Sequence, residues 1–217
     1  MFVLWGCSGP IISDTSEPIP KKVVMTTEKE LIPESEPIPE PAVVIPEPTP
    51  KCLVFDDFTG NQTVGWQRVN DSVMGGRSLG NLDFQDQTMI LSGSVNLNGG
   101  GFTSVRAPLP TGSLSPFDSV VITAKTDGRG YQLTFRDNNF GRLSHRLGLD
   151  LSSSPEWQTV TIKLADLEPA FFGQAVQAKG FDKNQAGEIG IILNDGQGGD
   201  YRLEVKEIKF CAVAPSK

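Results

Sequence analysis

Histidine is almost absent from this sequence. His145 is the single one in 217 residues, and the three cysteines, Cys7, Cys52 and Cys211, stand far apart with no CxxC pair and no Cys/His cluster. A structural zinc site needs four such ligands at close spacing, so no metal is expected, and nothing calls for a cofactor. Basic residues are also in short supply: 19 Lys and Arg against 26 Asp and Glu give a formal charge of −7. Neutralising phosphates takes clustered cations, so general nucleic-acid binding is excluded. No apolar run reaches the roughly 18 residues that span a bilayer. Attachment to a membrane would have to come from a lipid.

Catalytic constellations are missing as well. Asp56 and Asp57 are adjacent. Neighbours in a strand point to opposite faces, so they cannot work as an acid–base pair. One of them facing a loop reads as a turn residue or a calcium ligand. His145 falls on the alternation of Leu143 and Leu147 and reads as a half-buried structural histidine. No serine sits in a nucleophile-elbow context. The glycine-rich "GRGYQ" and "NGGGF" lack both a P-loop lysine and a following helix. The chain does not read as an enzyme.

What is present begins with "MFVLWGCSG". Residues 1–7 resemble the end of a bacterial lipoprotein signal, with Leu4 three positions before Cys7 and Gly6 just before it. Trp5 is bulkier than usual, a basic n-region is missing and the apolar part is short. Either Met1 lies inside a longer signal and Cys7 is a lipidation site, or Met1 is the start and the match is chance. Residues 8–51 are rich in Pro and Glu, as in "IPESEPIPEPAVVIPEPTPK". Proline removes backbone donors and favours extended conformations, so this stretch is a solvated spacer that cannot bury a core. A spacer after a lipidated cysteine would hold a domain away from a membrane. The expected location is therefore the cell envelope of a bacterium, exported and lipid-anchored; a cytoplasmic protein is the alternative.

The composition changes at Cys52, and residues 52–213 form the expected folded domain. Alternation of period two recurs in Val120–Ile122–Ala124, Tyr131–Leu133–Phe135, Ile189–Ile191–Leu193 and Tyr201–Leu203–Val205. Such alternation marks strands with one buried face. The interruptions "TDGRG", "RDNNFG" and "NDGQGGD" are turns. Many short strands with such turns predict an all-β fold, an antiparallel β-sandwich or jelly roll. Only "LADLEPAFF" has a helical hint, limited by Pro169 to about one turn. Trp157 is expected to start a strand and pack in the core. In the last candidate strand the inward positions are odd from Tyr201 to Val205 and even at Ile208 and Phe210, which predicts a β-bulge near Lys206-Glu207. Cys52 opens the first candidate strand and Cys211 closes the last. They are candidates for a disulfide if those strands are neighbours, and buried free thiols otherwise. A bridge would require an oxidising compartment.

The most specific stretch is "WQRVNDSVMGGRSLG", followed by "LSGSVNLNGGGFTSVRAPL". Gly75-Gly76 permits a sharp bend, and Asp71 can accept backbone N–H groups across it. Arg77 and Arg106 offer forked donors suited to carboxylates. Two uses fit. Asp71, Ser78, Ser104 and Arg106 can form a polar network that pins two loops together. Alternatively Asp71, Met74, Gly75, Gly76, Arg77, Ser78 and Arg106 form a binding site.

These stretches resemble the complex I intermediate-associated protein 30 family. That family's pattern is carried by Trp66, Asn70, Asp71, Val73, Met74, Gly75, Gly76 and Ser78, then by Gly93, Gly100, Gly101, Phe102, Ser104 and Arg106. "EWQTVTIKLADLEP" and "IGIILNDGQGGDYRLEVKEIKF" are similar to its later strands, so the resemblance covers roughly residues 53–210. It implies a galactose-binding-like β-sandwich. For mitochondrial members it implies an assembly factor for respiratory complex I, from which this chain departs by its lipoprotein-like start and its spacer.

Two functions of different class follow. One is a non-catalytic, chaperone-like interaction or assembly module, with a protein partner such as a membrane complex or its assembly intermediate. The "PAFFGQ" segment supports it, because of adjacent Phe171 and Phe172 one faces solvent in an extended chain, and aromatics mark interface cores. The other is a carbohydrate-binding module with a glycan ligand. The domain has few aromatic platforms for a sugar: Trp66, Trp157, Tyr131 and Tyr201.

Overall fold

The computed structural model describes residues 50–60, 64–138 and 143–212. Cys7 and all of the Pro/Glu segment before Pro50 lie outside the described residues, as does residue 213. Thirteen strands follow one another among the described residues: β1 (Lys51–Asp56), β2 (Gln67–Asn70), β3 (Leu79–Gln85), β4 (Thr88–Val95), β5 (Thr103–Pro108), β6 (Ser119–Thr126), β7 (Tyr131–Asp137), β8 (Leu143–Gly148), β9 (Ser154–Lys163), β10 (Glu168–Phe171), β11 (Gln174–Ala175), β12 (Ala186–Leu193) and β13 (Gly199–Ala212).

The strands make two antiparallel sheets. One has the order β3-β4-β13-β6-β9, with β1 also on β13; the other runs β11-β10-β8-β7-β12-β5-β2. The 14-residue β13 organises the first sheet: its early half pairs with β4, its late half with β1, and β6 lies along its other edge. The register along β6 shifts between Val205 and Glu207, as the parity change predicts. The extra residue lets Tyr201, Leu203, Val205, Ile208 and Phe210 all face inward despite their mixed numbering. Cys52 and Cys211 are register partners on β1 and β13, and their sulphurs are bonded.

The apolar layer between the sheets follows the alternation. Val120, Ile122 and Ala124 from β6 meet Leu133 and Phe135 from β7 and Ile189 and Ile191 from β12, all fully buried. Each large side chain of this kind contributes about 1.5–3 kcal/mol relative to exposure. The outward residues of β7 are Gln132, Thr134 and Arg136, and the strand alternates strictly between buried and half-buried positions.

Trp157 is a correction. It is half-buried on the outer face of the first sheet, with Lys125 Nζ 4.5 Å and Lys206 Nζ 5.7 Å from its ring centroid. The reason is parity. Val160 and Ile162 face the core opposite Ile122 and Val120, so the odd-numbered Trp157 takes the other side of the pleat. The helical hint in "LADLEPAFF" resolves into one 3₁₀ turn, Leu164–Asp166, and Pro169 then lies within β10. A second 3₁₀ turn, Asp71–Met74, sits in the motif where the sequence suggests only a loop.

Candidate functional site

Asp71 starts that 3₁₀ turn and is fully buried. Its Oδ1 accepts the Ser78 amide at 3.0 Å. Its Oδ2 accepts the Ser78 hydroxyl at 2.6 Å and the Gly101 amide at 2.7 Å, with the Phe102 amide at 3.4 Å. Burial pushes this carboxyl up, but the hydrogen bonds from Ser78, Gly101 and Phe102 outweigh it and hold it below the usual carboxylate range. The glycines around it are explained by space. A Cβ on Gly76 would lie 2.2 Å from the Asp71 Cγ, and one on Gly100 would lie 2.3 Å from its Oδ2. Gly75 instead supplies the left-handed backbone that ends the turn, with φ 87°.

The motif therefore joins two loops: its own turn, which carries Met74, and the Asn96–Phe102 connection between β4 and β5. Ser78 belongs to this network, and its hydroxyl also accepts the Asn96 amide at 3.0 Å. Ser104 and Arg106 do not belong to it, which corrects the four-residue network suggested by the sequence. Ser104 donates to the Val69 carbonyl at 3.0 Å. Arg106 lies further along β5, where the pleat turns it to the outer face of the seven-stranded sheet. Arg77 is exposed.

That outer face is an open groove of about 800 Å3. Arg106, Thr134 and Arg146 line it, and they belong to a row of register partners crossing six strands: Gln67, Arg106, Gly190, Thr134, Arg146 and Glu168. Gly190 keeps the middle low. A Cβ there would lie 2.7 Å from the Val105 carbonyl oxygen and 3.0 Å from the Thr134 hydroxyl. The walls are apolar. Met74 and Leu97, exposed by 60% and 50%, stand on the two loops that Asp71 ties together. Phe172, exposed by 50%, stands opposite on the β10–β11 turn and packs edge-on against Phe171, with ring centroids 4.6 Å apart. Both phenylalanines face solvent, where the sequence predicts only one.

The groove is cationic in an acidic protein. Arg106 and Arg136 share one carboxylate: Glu188 Oε1 is 3.7 Å from Arg106 Nε and 3.5 Å from Arg136 Nε. Burial and the nearby Arg136 lower the affinity of Arg106 for its proton, and Glu188 restores part of it. The guanidinium stays charged at neutral pH all the same. Arg146 is held by Gln132 Oε1 at 3.0 Å.

The remaining sequence candidates have structural roles. Both oxygens of Asp56 are occupied, by the Phe58 amide and by the Trp66 indole N–H, each at 2.9 Å, so it is a buried turn residue rather than a calcium ligand. No cluster of three or more metal-ligating side chains exists among the described residues. His145 is buried, with Nε2 2.9 Å from the Lys179 carbonyl and its ring against Phe181. Sequence reasoning did not single out Arg136, Arg146 and Glu188. They stood in plain sight as outward residues of alternating strands, but only the strand order places them side by side. It also missed the two-pronged pair of Arg129 and Asp195, with Nη2–Oδ1 at 2.7 Å and Nε–Oδ2 at 3.0 Å, which clamps two turns.

Sandwich and groove together define a galactose-binding-like β-sandwich that presents one concave sheet face to solvent. The chain belongs to the complex I intermediate-associated protein 30 family, whose model matches residues 56–205. No curated protein matches the chain. Among solved structures it is similar to the family 11 carbohydrate-binding module of the cellulosomal cellulase Lic26A-Cel5E of Clostridium thermocellum, at 14% identity and TM-score 0.57, covering 78% of this chain and 99% of that one. A complex of the Clostridium thermocellum family 11 module with a β-1,3-1,4-mixed-linked tetrasaccharide is similar at 16% identity and TM-score 0.58, covering 76% and 98%. An agarase matches at 12% identity and TM-score 0.53 over 25% of its length. These likenesses extend to the fold.

Proposed function

We propose that this domain is a non-catalytic binding module that captures a protein partner in the groove of the seven-stranded sheet, in an assembly or chaperone-like role. The observation that carries this is the apolar rim. Met74, Leu97 and Phe172 are exposed together around a polar floor, with Phe171 exposed beside Phe172, and clustered exposed apolar side chains mark interaction sites. The family's name points the same way, towards association with an intermediate of complex I. We further propose that the module works in the envelope of a bacterium, anchored through a lipid on Cys7. The Cys52–Cys211 bridge supports this, because disulfides persist in oxidising compartments.

A second reading, a glycan ligand, is favoured by Phe172. Its backbone φ of 48° holds an exposed ring at the groove mouth, where a sugar could stack. One experiment separates the two. A photo-crosslinking amino acid replaces Phe172, with Lys163 on the opposite sheet as control, and native membranes are irradiated. A discrete protein adduct from position 172 alone supports the protein reading. Absence of an adduct, together with glycan-array binding that Phe172→Ala abolishes, would establish the sugar reading instead.

A further inference from the structure

We infer that the groove takes an extended acidic stretch of polypeptide, whose carboxylates sit on the Arg106–Arg136 pair and on Arg146. This rests on the protein-partner reading above and names the chemistry of the segment recognised.

The charge is unbalanced. Three guanidiniums face the groove, and Glu188 is the carboxylate shared by two of them, at 3.7 and 3.5 Å. Both contacts are too long for hydrogen bonds, so the forks of Arg106 and Arg136 keep donors to offer. Glu168 is the register partner of Arg146 on the same face, but it is exposed, and Arg146 is held by the neutral Gln132. Guanidinium forks match carboxylates in geometry, and burial in a groove strengthens such pairs relative to open surface.

The spacing suits an extended chain crossing the strands. Arg106 on β5 and Arg146 on β8 are separated by three strand-to-strand steps through β12 and β7, about 14 Å at the usual interstrand distance. Residues i and i+4 of an extended peptide point to one side and lie about 13 Å apart. Side chains of the peptide that face the walls meet Met74, Leu97 and Phe172, which suits aliphatic residues between the acids.

The test uses three synthetic peptides of identical length, with Glu, Gln or Lys at positions i and i+4 between valines, titrated calorimetrically into the full chain. A chain of oligogalacturonate serves as the acidic sugar. The Glu peptide should bind at least tenfold more tightly than its Gln twin, and the Lys peptide should not bind. Raising salt from about 50 to 500 mM should weaken the Glu peptide, as screening requires. Arg106→Gln and Arg146→Gln should each bring its affinity part of the way down to that of the Gln twin, and the double variant all the way, without altering the melting temperature, and Glu188→Gln should tighten it. Equal affinity of the Glu and Gln peptides, or no binding of either, would overturn the acidic assignment, while the adduct at position 172 would still decide the protein reading. Preference for oligogalacturonate with the same arginine dependence would overturn the peptide and make the ligand an acidic polysaccharide.

Discussion

Ser78 holds Asp71 from both ends: its amide reaches Oδ1 at 3.0 Å and its hydroxyl reaches Oδ2 at 2.6 Å. Gly101 adds a third donor from a loop thirty residues away, at 2.7 Å. Asp71 therefore positions the wall of the groove that carries Met74 and Leu97, rather than meeting a ligand itself. Asp71→Ala leaves buried N–H groups without acceptors, and a loss of about 2–4 kcal/mol is expected. Chemical denaturation measures it. An unchanged midpoint would mean that the carboxylate has no structural role.

Gly100→Ala should be destabilising because of the Asp71 side chain. The added methyl would lie 2.3 Å from Asp71 Oδ2. In a wild-type background the change should cost about 2–3 kcal/mol. In an Asp71→Gly background the whole side chain it meets, Oδ2, Cγ and Cβ, is gone, so the two effects should fall well short of adding up. A double-mutant cycle reads the coupling directly, and full additivity would contradict the geometry.

Acid should loosen this corner. The Asp71 carboxyl is held below its ordinary value in the fold, and Asp195, beside Arg129, is likewise lowered despite its burial. A depressed carboxyl contributes stability that is present above the unfolded value, near 4, and is lost as pH falls through the folded one. Asp56 runs the other way: its burial raises it, so it offsets part of the slope. Melting temperatures taken from about pH 6 down to pH 2.5 should fall, and they should fall less steeply in Asp71→Asn. Parallel profiles for the two proteins would show that Asp71 does not titrate as described.

Reduction should be costly. The bridge joins residues 159 positions apart, for which the chain-entropy account gives up to about 5 kcal/mol. Cys52→Ser is expected to lose about 3–5 kcal/mol of stability. Without reductant, a thiol reagent should fail to label either position in the native or the denatured protein. Labelling of both would show that the bridge does not form.

Cys7→Ala addresses the proposed anchor. If Cys7 is lipidated, the wild-type chain should fractionate with membranes and incorporate a fatty-acid label. The variant should do neither, while keeping the melting temperature of its domain. Equal fractionation of the two would remove the anchor from the proposed function.

The sequence by itself determined the fold class, because the alternation in strands such as Tyr131–Asp137 states which face is buried whatever the neighbours are. It also determined the bulge at Val205–Glu207, since a change of parity within one strand has no other solution. The family motif was legible, and so was the bend at Gly75, whereas the need for small residues at Gly76 and Gly100 came from the packing around Asp71. Even Trp157 was decidable from its odd number, though its size suggested the core. Only the tertiary structure decided what lies beside what. Arg106, Arg136 and Arg146 come from three strands between 10 and 40 positions apart, and nothing local says that β12 runs between β5 and β7. Nor does any local signal send Arg106 away from Asp71 while bringing Gly101 to it. Pleating fixes the face of each side chain within a strand; the order of the strands fixes its neighbours, and that order comes from burying both sheets at once.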